Sequence, residues 1–181
     1  MKKLVLFIAL IVLGISSNNL LAQGGPDQKF LNAGVGLSGW GVPIYANFEF
    51  PIANDFTLSV GGSYQSRVER YYYLPGQRIG WRHNILGLQI AGNYYFDNLI
   101  DLPSDFDLYA GIQAEYYVWR TRLVDNKYGT VEYSGSGLGG AGISGLIGGR
   151  YHVKPGKLSL NLQLAGGTVM SAGRLGVSFW L

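Results

Sequence analysis

Between residues 158 and 164 every second position is leucine: Leu158, Leu160, Leu162 and Leu164 alternate with Ser159, Asn161 and Gln163. The last stretch repeats the rule with Leu175, Val177, Phe179 and Leu181. A period of two puts the apolar residues on one face of an extended strand and the polar residues on the other. In water the apolar face needs a packed partner. In a bilayer it meets lipid directly, and the polar face lines a lumen.

The same alternation recurs along the chain and predicts eight strands, at 30–39, 42–50, 56–68, 81–96, 106–122, 137–153, 158–167 and 173–181. Leu31, Ala33, Val35 and Leu37 oppose Asn32, Gly34, Gly36 and Ser38; Leu86, Leu88 and Ile90 oppose Gln89 and Ala91. The sixth strand is the weakest, with glycine on both faces. Pro43 lacks an amide donor and belongs at a strand start or a bulge. Phe50–Asp55, 97–105 and Lys154–Lys157 carry the Pro, Gly, Asn and Asp of turns. The connections near 69–80 and 123–136 read as longer loops, rich in Arg, Tyr and Gly. Short turns at one end and longer loops at the other fit an all-β, eight-stranded antiparallel transmembrane up-and-down β-barrel.

The N-terminus places that barrel outside the cytoplasm. Lys2 and Lys3 precede an apolar run, Leu4–Ile15, and then Ser16 to Ala22. Residues 1–22 therefore read as a secretory signal peptide, cut after Ala22, because the apolar run is too short to span as a helix. What remains, 23–181, is one domain, with 12 Lys and Arg against 11 Asp and Glu. The near-neutral balance gives no reason to expect nucleic acid as a partner. The chain has no Cys, so neither a disulfide nor a thiolate metal site is available.

With strand directions assigned, Phe48, Phe50, Phe56, Tyr94, Phe96, Phe106, Tyr151 and Phe179 all point outward at the periplasmic end, from six strands. Aromatic girdles at a membrane–water interface explain that common height. The competing fold is a soluble barrel with these rings in its core.

The signal peptide, the eight alternating strands and the terminal Val177-Ser-Phe-Trp-Leu181 resemble the small outer-membrane β-barrel family of OmpA-like and OmpX-like proteins. The resemblance implies a cell outer-membrane location and a last strand read by the outer-membrane assembly machinery. Such strands usually end in an aromatic residue. Here Leu181 is last and Phe179 lies two before it.

Candidate chemistry is sparse. Gly137-Leu-Gly139-Gly-Ala-Gly142 matches the spacing of a dinucleotide-binding loop, but that loop works only between a strand and a helix. Small residues at a crowded lumen explain it better, and no cofactor is expected. His83 and His152 are the only histidines, too few for a metal site, and neither has a Ser two residues on along its own face. No catalytic residue is therefore assigned. Glu49, Glu115, Arg150 and Arg174 face the lumen, where charges must pair, and read as a polar plug. Arg82, Arg120 and Arg122 share the outward face at the opposite rim, with Arg70 and Tyr71–Tyr73 just above. Guanidinium groups there suit phosphates of lipopolysaccharide, alongside the membrane lipid itself. The expected role is structural or surface-interacting (envelope integrity, adhesion or lipopolysaccharide contact). A narrow porin-like channel comes second, and a lipid A-modifying enzyme third.

Overall fold

Eight strands pair antiparallel, each with the next around the wall, and the last closes on the first. The computed structural model describes residues 28–74, 77–100, 102–126, 134–136, 139–154, 157–168 and 172–181; the signal-peptide span lies outside them. The strands are β1 (Phe30–Ser38), β2 (Ile44–Ala53), β3 (Phe56–Leu74), β4 (Gln77–Tyr95), β5 (Phe106–Asn126), β6 (Ser134–Ser136), β7 (Gly140–Lys154), β8 (Leu158–Gly167) and β9 (Ala172–Trp180), with one helical turn, α1 (Asp97–Ile100). Eight of them form the wall in the order β1-β2-β3-β4-β5-β7-β8-β9. β9 returns to β1 from Phe30↔Trp180 to Ser38↔Ala172. The short β6 lies against Arg120–Arg122 of β5.

The burial pattern is that of a globular protein turned inside out. Thr57, Gln113, Ser144, Arg150, Ser159 and Ser178 are among the most buried side chains, while Leu88, Ile112, Ile143, Leu164 and Leu175 stand on the outside. Leu160, Leu162 and Phe179 also face outward, each at least 44% exposed, which excludes the soluble barrel with an apolar core. Hydrocarbon forces this arrangement, since no edge amide can be left unpaired there and only a closed sheet has no edge.

Local chemistry accounts for the turns. Ala53 pairs with Phe56, so Asn54 and Asp55 make the whole turn, and Asp55 takes the left-handed φ of 61° that Asn and Asp tolerate. Pro43 sits just ahead of β2, where it needs no donor, and its carbonyl accepts the Gly36 amide at 2.8 Å. α1 interrupts the 97–105 connection, with an Asp97 carboxylate oxygen accepting the Leu108 amide at 2.8 Å.

The described parts of two expected loops are strand; residues 75–76 and 127–133 lie outside the described set. The 69–80 stretch continues β3 to Leu74 and starts β4 at Gln77, and β5 runs on to Asn126. β3, β4 and β5 reach 19, 19 and 21 residues, whereas about 9–11 cross a bilayer. The Val-, Tyr-, Thr- and Trp-rich segments have strand propensity of their own, and three mutually paired strands need no barrel to persist. They form a ribbon rising above one side of the cylinder. The sixth strand, expected at 137–153, is β7 from Gly140; residues 137–138 lie outside the described set.

Lumen glycines make room for tyrosines laid across the barrel. A Cβ on Gly148 would run into the Tyr109 ring, one on Gly176 into the Tyr45 hydroxyl, and one on Gly87 would lie 2.8 Å from the Tyr117 ring. Gly148→Leu should therefore destabilise the barrel by about 1–3 kcal/mol, the usual cost of overpacking. Gly145→Leu, which faces outward with nothing nearby, should be tolerated. Urea unfolding of the two variants in phospholipid bilayers checks the difference.

Candidate functional site

Two levels of ion pairs fill the lumen. At the lower level, near the end carrying Phe30 and Trp180, Arg150 of β7 donates to Glu49 of β2 at 2.8 Å and to Asp107 of β5 at 3.4 Å. The Glu49 carboxylate also accepts from Thr57 at 2.7 Å, Tyr95 at 2.6 Å, Asn32 at 3.0 Å and Asn93 at 3.4 Å. The Arg150 guanidinium lies 3.8 Å from the Phe30 ring centroid, a cation–π contact made in the absence of bulk water. Higher up, Arg174 of β9 donates to Glu115 at 3.4 Å and to Gln113 at 3.2 Å, both on β5. Gln113 and Tyr117 donate to the Glu115 carboxylate from their own strand. The sequence-derived set Glu49, Glu115, Arg150 and Arg174 is thus brought together as two pairs.

Between the two levels, a void lined by Tyr45, Asn47, Glu49, Tyr109, Asn161 and Gln163 measures only about 10 Å³. That is room for about one water, too little for a hydrated ion.

Asp107 and His152 belong to the lower network although no role was expected of either. His152 is hydrogen-bonded through Nδ1 to Ser159 at 2.7 Å and through Nε2 to Asp107 at 3.0 Å. The Trp180 indole donates to Ser159 at 2.9 Å. A search for Ser two residues along from His152 misses this, because the partner lies across the hairpin, where His152 pairs directly with Ser159. Pairing the two strands on either side of Lys154-Pro-Gly-Lys157 would have found it. The trio has the residue types of a hydrolytic triad, but Ser159 has no exposed surface and its oxygen already accepts the indole. Here the bonds seal the lower mouth.

The glycine run that imitates a dinucleotide loop leads into strand β7, so its described part offers no helix end to a phosphate.

Outside, the eight aromatics of the expected girdle lie on the outward face. Phe56 and Tyr94 pack at 4.9 Å, Tyr94 and Phe96 at 5.0 Å, Phe106 and Tyr151 at 4.8 Å, and Phe48 and Phe50 at 5.8 Å between ring centroids. Phe48 and Phe179 flank Leu31 from its two sides. Just above the lower rim, Phe106, Ile147, Tyr151, Leu160 and Leu162 border a shallow apolar groove of about 450 Å³ that faces the hydrocarbon.

At the other end, the outer face of the ribbon is basic. Arg82 pairs directly with Arg122 across the β4–β5 ladder, Arg120 is one outward step below opposite Asn84, and Arg70 is one step above on β3. Arg70, Arg120 and Arg122 are exposed. Among the described side chains on this face, Tyr64 and Ser66 donate to Asn84 at 3.1 and 2.9 Å, and none is acidic. The side chains of Tyr71–Tyr73 lie outside the described set.

An inside-out cylinder with a polar lumen, a girdled apolar belt and a projecting ribbon is a small transmembrane β-barrel of the outer-membrane kind. The chain is similar to Ail, the attachment invasion locus protein of Yersinia pestis, at 10% identity and a TM-score of 0.52 over 88% of this chain and 100% of that one. The N-terminal β-barrel domain of Pseudomonas aeruginosa OprF gives the same values. Ail in complex with the heparin analogue sucrose octasulfate gives a TM-score of 0.53 at 10% identity over the same shares. At these identities the likeness is one of fold. No protein-family model matches the sequence, and no curated protein does.

Removing one partner of the lower pair strands the other as a buried charge. Arg150→Met should cost about 3–5 kcal/mol, and Arg150→Met combined with Glu49→Met should recover much of it. Unfolding midpoints of the single and double variants in bilayers test this coupling.

Proposed function

We propose that this is an exported outer-membrane protein with a structural, surface-interacting role, its lumen shut and its basic ribbon face bound to phosphates of lipopolysaccharide. The observation that carries the reading is the Arg82–Arg122 pair. Like charges directly opposite on neighbouring strands destabilise a sheet, and Arg120 and Arg70 add to the repulsion. A polyanion removes that repulsion, and guanidinium grips phosphate bidentately. The face lies on the lipid-facing side and just above the belt, where the phosphates of an outer leaflet sit. Ail, of the same fold, was crystallised with a polysulfated sugar, a ligand of related charge. The last strand, β9, would be the segment handed to the assembly machinery during insertion. The filled lumen weighs against the narrow-channel reading. The buried Ser159 weighs against lipid A chemistry, since lipid cannot reach it.

Three measurements test this proposal. Purified protein in planar bilayers should show no steady conductance; a large, stable one would overturn the plug. Changing Arg70, Arg82, Arg120 and Arg122 together to Gln should lower co-purifying lipopolysaccharide more than tenfold, because each charge-assisted bond is worth about 1.5–3 kcal/mol; unchanged lipopolysaccharide would overturn the contact. The chain contains no Cys, so single cysteines report topology cleanly. In whole cells Arg70→Cys should react with an impermeant maleimide and Lys154→Cys should not.

A further inference from the structure

The ribbon's inner face has a different chemistry from its outer one. β3, β4 and β5 keep one register above the barrel as far as Trp81, beyond which a bulge shifts β4 against β5, so inward residues up to that level line up in rows. A polar row of Arg67, His83 and Thr121 lies between the level of Trp119 below and the row of Glu69 and Trp81 above. The polar groups are linked: His83 Nδ1 is 3.0 Å from the Thr121 hydroxyl, His83 Nε2 is 3.8 Å from Glu69, and Arg67 Nε is 3.4 Å from Glu69. Arg67 is nearly half exposed, and Glu69 and His83 each keep about a quarter of their surface open. Among the described side chains, the outer face carries four arginines, whereas the inner one sets Arg67 against Glu69.

Trp40, in the turn after β1, reaches across the mouth and packs on Trp119 at 5.1 Å between ring centroids. Trp40 and Trp119 thus pack together at this mouth, and Trp81 lies two inward steps higher on β4. Gly39 and Gly41 flank Trp40, both with open space around them, and Gly41 has a φ of 135°. The Trp119 indole nitrogen makes no hydrogen bond among the described residues.

We infer that this inner face binds a neutral oligosaccharide displayed outside the cell. Sugar hydroxyls both donate and accept, and the row offers both: guanidinium donors, a carboxylate acceptor, and an imidazole and hydroxyl that do either. The apolar C–H face of a pyranose ring stacks on an indole, which is amphipathic in the same way. Among the described side chains of this row Arg67 and Glu69 offset each other, so there is no net charge to hold a polyanion, and an apolar ligand would take these paired charges out of water at a cost. Trp81 lies four residues along β4 from Ile85, the partner of Trp119, so the two indole levels are ~13 Å apart along the strand. That length suits a short chain of sugars and exceeds one ring.

The inference rests on the reading that the ribbon stands outside the cell. The test uses the full chain in lipid nanodiscs, titrated with triacetylchitotriose, maltotriose and cellotriose, with a heparin hexasaccharide as the polyanionic control. Binding is read by tryptophan emission and by equilibrium dialysis. At least one neutral trisaccharide should bind saturably. Trp81→Ala and Glu69→Gln should each weaken it tenfold or more, while the Arg70, Arg82, Arg120 and Arg122→Gln variant should leave it unchanged. Should Trp81→Ala fail to fold, Glu69→Gln with Thr121→Val supplies the same comparison. No binding of any neutral trisaccharide at millimolar concentration, or binding indifferent to these changes, would overturn the inference. If Arg70→Cys labels on whole cells and no neutral sugar binds, the sugar site alone fails; if it does not label, the topology fails with it.

Discussion

Closure of the sheet is the constraint on which everything else depends. Hydrocarbon offers no partner for a free amide, so β9 must return to β1, and it does so over nine residue pairs. A ring of eight strands has an interior just wide enough for side chains to fill. The polar face is therefore pressed together on the inside, and its charges have to find each other across the lumen. Glu49 and Arg150, 101 residues apart in sequence, meet because the circumference leaves them no alternative. The tyrosines that cross the lumen need glycines opposite them for the same reason.

The period-two alternation was legible because it is a property of single strands. It needs no knowledge of partners, and it marked strand existence, facing and the outward aromatics. Lumen charges were legible as a set for the same reason, since parity alone puts Glu49, Glu115, Arg150 and Arg174 inside. Partners across strands were not. Ser159, His152 and Asp107 come from three strands, and only the register of β5 on β7 and of β7 on β8 brings them together. The height of the ribbon was also hidden. Alternation between apolar and polar residues fades above the membrane because both faces are wet there, so a strand with Arg, Tyr and Thr on both sides reads as loop. Its strand character comes from pairing, as between Tyr64 and Leu86 and onward to Arg70 and Gly80.

The ribbon makes the molecule one-sided. β1, β2, β8 and β9 have 9 or 10 residues each, while β3, β4 and β5 have about twice as many. Its outer surface continues the lipid-facing wall, and its inner surface overlooks the mouth. Charge follows this geometry: among the described side chains, Arg70, Arg82, Arg120 and Arg122 lie on the surface continuous with the lipid-facing wall, and a mixture of Arg67, Glu69 and His83 with tryptophan lies on the surface that overlooks the mouth. Two surfaces that share one set of backbone hydrogen bonds are thus exposed to two different environments.

The position of the C-terminal strand has a further consequence, for the order of assembly. Arg174 is the counter-charge of Glu115, Ser178 accepts from Asn161 at 2.8 Å, and Trp180 donates to Ser159; all three partners wait on strands made earlier. Until β9 docks, the earlier strands form an open trough whose carboxylates must stay hydrated. Zippering the seam and drying the interior are then a single event, and an intermediate stalled before it would be a water-filled groove in the bilayer.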